Sequence, residues 1–227
     1  MKPIALAPVL IDQVYDRLVE AIADGTLAPG QRVRQEALAE LLGVSRQPVS
    51  HALQLLKRQR LVEEQGKRGL VIAGIDAARI LALYQVRAAL DGLAARQAAL
   101  QVARGAAPGR DRQAAERALA DGRALTAAAS VGAFIQADVA FHTAIYRLAG
   151  NPAIEETVAP QWPHLKRSMG AVLLYPDRHS RVWAEHAAIA ARILAGDEDG
   201  AGTAACEHAL RAGAEAARRL ATAADAA

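Results

Sequence analysis

Apolar side chains recur at helical spacing along most of this chain, and one short stretch departs from that pattern. Ile11, Val14, Tyr15, Leu18 and Ile22 predict an amphipathic helix over about 10–24, ended by Gly25 and Pro29-Gly30. A second helix, about 35–42, places Leu38, Leu41 and Leu42 inward. Gly43 then supplies the left-handed backbone of a sharp interhelical turn. Ser45 is the expected N-cap of a third helix, with Pro48 in its first turn, where no backbone donor is needed. Val49, Leu53 and Leu56 form the inner face of that helix and leave Arg46, Gln47, Ser50, His51 and Gln54 outside. The exception to helical spacing follows. Leu61-Val62 and Leu70-Val71-Ile72 flank Gly66-Lys67-Arg68-Gly69, which reads as a β-hairpin with a basic tip.

From Asp76 onward every strong segment is helical again, near 76–104, 111–128, 131–149, 152–174, 179–195 and 198–222, with Gly- or Pro-containing breaks between them. The pattern predicts a mainly α protein in two domains. Residues 1–75 form a winged helix-turn-helix and residues 76–227 an all-α bundle, with Gly74-Ile75-Asp76 as the boundary. An apolar fraction of 52% with few aromatics suits closely packed helices. Cys206 is the single cysteine, which excludes an intrachain disulfide and fits a reducing cytosol. It reads as a small buried side chain. No apolar run is long enough to span a bilayer, so a cytoplasmic protein is expected.

The net charge of +3 is modest, but residues 32–68 hold 8 basic side chains against 4 acidic ones. A helix-turn-helix with that local charge suits DNA. Arg46, at the start of the third helix, is placed to meet a guanine edge, with Gln47 and Ser50 beside it. Arg34, Lys67 and Arg68 are placed for phosphates or the minor groove. A helix-turn-helix can also be a protein-binding scaffold, and the basic tip weighs against that reading.

In the second domain Asp138 and His142 stand four apart on one helix face, with Ile135, Ile145 and Ala149. His186 lies in a stripe with Val182, Ile189 and Ile193, and His208 lies between Ala204 and Ala212. Each imidazole alone reads as a hydrogen-bonded core residue. Together, three inward histidines and an aspartate from three helices make an N₃O set of the kind that holds a metal. Arg87 shares a buried face with Tyr84 and Leu90; it is either the i,i+4 partner of Asp91 or a clamp for a ligand carboxylate, with Tyr84 and Asn151 as helpers. His164 and His179, near prolines, are expected at the surface.

The span P-G-Q-R-V-R-Q-E-A-L-A-E-L-L-G-V-S-R-Q-P-V-S-H-A-L with its Gly-flanked wing resembles the N-terminal domain of GntR-family regulators. That family usually carries an arginine where this chain has Ser50 and an acidic residue where it has His51, which puts the base contacts, but not the fold, in question. Residues 78–222, through L-Y-Q-V-R-A-A-L-D-G-L-A-A-R, D-V-A-F-H-T-A-I-Y-R-L-A-G-N and E-H-A-A-I, resemble the FCD effector domain of the FadR subfamily. The resemblance implies that Asp138, His142, His186 and His208 hold a divalent metal, zinc by default with nickel or manganese as alternatives. It also implies a homodimer on a palindromic DNA operator, a small carboxylate effector and a repressor, with no membrane and no enzymatic turnover. The rival to that last expectation is a metal-dependent enzyme, whose open metal positions would activate water.

Overall fold

In the computed structural model, which describes residues 8–66, 69–126, 128–173 and 176–225, the chain divides into two units, Met1–Ile75 and Asp76–Ala227. The first contains α1 (Pro8–Ala23), α2 (Gln35–Leu42), α3 (Arg46–Arg58), β1 (Val62–Glu64) and β2 (Leu70–Ile72). Its core joins Val14, Leu18 and Ile22 of α1 to Leu38, Val49, Leu53 and Leu56, closed by Leu61, Val62 and Ile72. Gly43, at φ 65°, caps α2 in the left-handed region, and its N–H returns to the Ala39 and Glu40 carbonyls. That reversal sets α3 across α2.

Three expectations for this unit change. Leu41 is 77% exposed, because the buried stripe of α2 runs through Leu38 and Ala39 with Leu42 alongside, and this turns Leu41 outward. Ser45 occupies the N-cap of α3 with extended backbone, but its side chain makes no capping hydrogen bond. The hairpin pairs Val62 with Ile72 and Glu64 with Leu70, and a third extended piece joins it. The Val33 N–H donates to the Leu70 carbonyl at 2.9 Å, and the Ile72 N–H to the Gln31 carbonyl at 2.9 Å. The wing-tip residues Lys67 and Arg68 lie outside the described residues.

The second unit contains α4 (Ala77–Ala103), α5 (Gly109–Ala124), α6 (Val131–Leu148), α7 (Pro152–Val158), α8 (Trp162–Leu173), α9 (Pro176–Leu194) and α10 (Glu198–Asp225). Side-chain caps start four of these helices, including α10, where Asp197 accepts from the Gly200 N–H. Asp76 accepts from the N–H groups of Ala78 and Arg79, Ser130 from Ala133 and Asn151 from Ala153. The single helix expected over 152–174 is broken by a 3₁₀ turn, Ala159–Gln161. Pro160 and Pro163 explain the break, since neither offers an N–H to an α-helical ladder. The core joins Ala94, Ala95, Ala98 and Ala99 of α4 to Phe141, Tyr146, Trp183, Ile189 and Ala201. Small side chains on α4 let its neighbours approach closely and set ligand-bearing faces of α6, α9 and α10 toward a shared interior. Among the described residues, no helix is long and apolar enough to cross a membrane.

One contact tests this packing. A Cβ built on Gly122 of α5 would lie 1.8 Å from the Trp183 ring, so the indole occupies the space a side chain would need. Gly122→Val is expected to destabilise the protein by about 1–3 kcal/mol through overpacking. Urea unfolding followed by tryptophan emission measures it; stability equal to wild type would contradict this packing.

Candidate functional site

Helix α6 carries Asp138 and His142 one turn apart, α9 carries His186, and α10 carries His208. All four are buried. One ring nitrogen from each histidine lies within 4.8 Å of the others. His186 Nε2 is 3.2 Å from His208 Nε2. The Asp138 carboxylate closes the group, with Oδ1 3.5 Å from His186 Nε2 and Oδ2 3.8 Å from His142 Nε2. In a tetrahedral zinc site with Zn–N of about 2.1 Å, neighbouring ligand atoms stand roughly 3.4 Å apart. The closer pairs, at 3.2, 3.5 and 3.8 Å, are near that size, and the three imidazole nitrogens spread no further than 4.8 Å.

The donor chemistry fits a cation as well. His142 Nε2 and Asp138 Oδ2 are buried without a hydrogen-bond partner. Orphaned polar atoms of this kind are costly, and a metal would satisfy both. Burial, aided by the Arg87 guanidinium, holds His142 well below the ordinary imidazole pKa. Burial does the same for His186, aided by His208 and Arg87. Both rings are therefore neutral at physiological pH, the form that ligates metals. Burial pushes Asp138 upward, against the pull of Arg87 and His208. The rings are also walled: Phe141 stacks on His186 at 4.2 Å, and Trp183 meets it edge-on at 4.8 Å.

The far side of this group is held by residues that sequence reasoning passed over. His208 Nδ1 lies 2.8 Å from Glu185 Oε2, and that bond is the main reason the Glu185 carboxyl is held down to about 2. His142 Nδ1 lies 3.5 Å from Asp91 Oδ2. Asp91 also accepts from the Tyr146 hydroxyl. Glu185 had one available signal, its place next to His186. Asp91 had appeared only as a possible partner of Arg87, and nothing in the spacing ties it to His142.

Of the two readings of Arg87, the structure places the ion pair: Nε is 3.2 Å from Asp91 Oδ2. Its Nη2 reaches toward Asp138 Oδ2 at 3.9 Å, and its guanidinium carbon lies over the Trp162 and Tyr84 rings at 5.0 and 5.5 Å. Burial works to lower Arg87, but Asp91 and its neighbours outweigh it and the guanidinium stays charged. Tyr84 is buried beside it, its hydroxyl 3.4 Å from Ser168 Oγ. Asn151 is elsewhere engaged, as the cap of α7. A cavity of about 300 Å³ opens beside His208, lined by Arg181, Val182, Glu185 and Arg211; Arg87 and Tyr84 do not line it. His164, expected at the surface, is buried, and His179 stacks on Phe134 at 3.6 Å. Both sit on helices that begin at or beside a proline and turn these rings inward. Cys206 is half-buried and stands outside the histidine group.

In the first unit Arg46 and Gln47 are exposed at the start of α3 and Ser50 is half-buried, while Arg34 is exposed at the N-cap of α2. Arg46 Nη1 pairs with Glu36 Oε1 at 3.1 Å, with both side chains 69% exposed. A pair so open to solvent is worth little and is easily given up for another acceptor.

Residues 10–72 match the family described as bacterial regulatory proteins, gntR family, and residues 82–212 match the FCD domain. The HTH-type transcriptional regulator YdhC of Bacillus subtilis (strain 168) is 34% identical over 82 residues, 36% of this chain and 37% of its own length. A Paenarthrobacter nicotinovorans protein named "Probable D-xylose utilization operon transcriptional repressor" is 31% identical over 144 residues, 63% of this chain and 60% of its own. The chain thus spans between about a third and two thirds of the length of these curated relatives. The solved structure of E. coli McbR/YncC superposes with a TM-score of 0.78 over 92% of this chain and 97% of that one. At 19% identity that likeness speaks for the fold.

Neutral buried histidines make stability depend on pH. The folded-state pKa of His142 and His186 lies below the unfolded value of about 6.5, so only the unfolded chain takes up these protons as pH falls through that value. The raised Asp138 opposes this in part, by gaining a proton in the folded state. Metal-free protein is expected to lose roughly 1–2 kcal/mol between pH 7.5 and pH 5.5. Urea unfolding in chelator at both pH values measures it; stability that is flat or rises on acidification would contradict neutral buried rings.

Proposed function

The chain belongs to the gntR family of bacterial regulatory proteins and carries an FCD domain, and from that membership we propose a metabolite-responsive, DNA-binding transcriptional regulator. Its working form is a cytoplasmic homodimer that represses from a palindromic operator; the name of the Paenarthrobacter relative supports repression. The observation that carries this reading is the pairing, in one chain, of an exposed polar row on α3 with a buried three-histidine, one-aspartate cluster in which His142 Nε2 and Asp138 Oδ2 lack hydrogen-bond partners. Membership in a family of regulators sets aside the enzyme reading.

On DNA, α3 lies in the major groove, where Arg46, Gln47 and Ser50 meet base edges. Arg46 exchanges its exposed Glu36 partner for guanine acceptors at little cost. Ser45, whose hydroxyl makes no capping bond, is free to meet a phosphate, and Arg34, Lys67 and Arg68 supply further phosphate contacts. Ser50 in place of the arginine usual in this family shifts base preference at one position of the half-site.

In the FCD domain Asp138, His142, His186 and His208 hold a divalent metal, zinc by default, with nickel or manganese as alternatives. When bound, it supplies positive charge at which an organic carboxylate binds. Arg87 and Tyr84 face that charge from α4. Because Arg87 is already paired with Asp91 and leans toward Asp138, a carboxylate effector would compete for its Asp138-facing nitrogen and leave the Asp91 pair intact. Asn151, as the cap of α7, fixes the backbone there; a direct contact with effector would require it to give up that bond. For effector to change operator affinity, it must bind the DNA-competent and DNA-released arrangements unequally.

Two measurements test these halves separately. Arg46→Ala is expected to weaken binding to DNA upstream of the protein's own gene by roughly 5- to 150-fold, the equivalent of 1–3 kcal/mol for a lost bidentate contact; absence of binding by wild type even at low salt would reject the regulator. His186→Ala is expected to lower bound metal at least about tenfold by elemental analysis. Unchanged metal content would remove this ligand set.

A further inference from the structure

Glu185 is one residue before a cluster histidine, yet it serves a different one. Its carboxylate divides its contacts: Oε2 lies 2.8 Å from His208 Nδ1, while Oε1 lies 3.3 Å from Arg181 Nε and 3.5 Å from Arg211 Nε. The bland reading is a surface glutamate between two arginines. The distances argue otherwise, since the shortest bond is the one to the imidazole. An ionised carboxylate can only accept, so His208 Nδ1 carries the hydrogen and His208 Nε2 carries the lone pair. That Nε2 is the nitrogen 3.2 Å from His186 Nε2, inside the histidine cluster. His186 has no such support, because its Nδ1 is buried without a hydrogen-bond partner. His142 has a looser one, at 3.5 Å from Asp91.

We propose that Glu185 is the positioning residue of the metal centre: it fixes the His208 tautomer and ring angle, so that α9 and α10 present one pre-set ligand to the ion. This rests on the metal reading above. The pair of arginines holds the outer oxygen and keeps the inner one aimed at the ring. Glu185 also lines the cavity beside His208, so the bond sits at the solvent-facing edge of the centre.

Zinc affinity by chelator competition, and the visible absorption of the cobalt-substituted full-length protein, test this together. Glu185→Ala is expected to weaken zinc binding by about 10- to 100-fold and to alter the cobalt bands. Glu185→Gln keeps a neutral acceptor and should recover part of that loss, which a merely structural side chain would not produce. Arg181→Ala removes an ion pair from the same carboxylate but not its bond to His208, and should cost less than Glu185→Ala. Equal losses in those two variants would overturn the proposal in favour of general surface charge. So would unchanged affinity and spectrum in Glu185→Ala while His208→Ala loses both. If His208→Ala itself binds zinc like wild type, the metal reading has failed, and the role of Glu185 with it.

Discussion

An alanine-rich helical interior buries an arginine, two aspartates and three histidines in one place, and the second unit is arranged around their need for partners. Removing an ion from water costs several kcal/mol even after relaxation, at an order-of-magnitude level. Arg87 meets that cost by pairing with Asp91 and leaning toward Asp138, and Asp91 takes a further hydrogen bond from Tyr146. The aromatic faces of Trp162 and Tyr84 complete its shell. With these ion pairs in place, the deficit among the candidate ligand residues falls on Asp138 Oδ2, His142 Nε2 and His186 Nδ1. The polar centre is thus nearly balanced by protein groups and left short at the point where four candidate ligand atoms meet.

Five helices share this balance. Arg87 and Asp91 come from α4, Asp138, His142 and Tyr146 from α6, Trp162 and Ser168 from α8, Glu185 and His186 from α9, and His208 from α10. A shift of any one helix by a fraction of an ångström changes several charge pairs together, because close-packed interiors pass displacement on. Position within the centre and position of α4 are therefore not independent. Since α4 begins at Ala77, directly after the boundary of the first unit, the helix that carries Arg87 is also the first element beyond that unit.

Much of this was legible in the sequence, and the divide between what was and was not is physical. Helical periodicity found the elements and the inward phase of Asp138, His142, His186 and His208, because both follow from the 3.6-residue turn of a single helix. It could not find the service of Glu185 to His208 or of Asp91 to His142, since those bonds cross between helices and depend on how the bundle is assembled. Leu41 was misplaced for a related reason: a two-turn helix fits more than one apolar stripe, and packing chose the one through Ala39. The break at Ala159–Gln161 was available in Pro160 and Pro163 and was overridden by an apolar pattern that continues through it. The Ser45 cap shows that the right residue at the right position does not guarantee the bond.

The strand-like piece at residues 30–33 looks like a minor supplement to the hairpin, but it acts as a ruler. Val33 is buried and hydrogen-bonded to Leu70, and Arg34 opens α2 one residue later. The hairpin and the entrance to the helix-turn-helix are therefore keyed to a common register across some forty residues of chain. Side chains alternate faces along an extended segment, so inserting or deleting one residue here would swing Val33 to solvent and draw Arg32 or Arg34 into the core. Evolution can lengthen the turn before Gly30, while the spacing from Gln31 to Arg34 admits no such change.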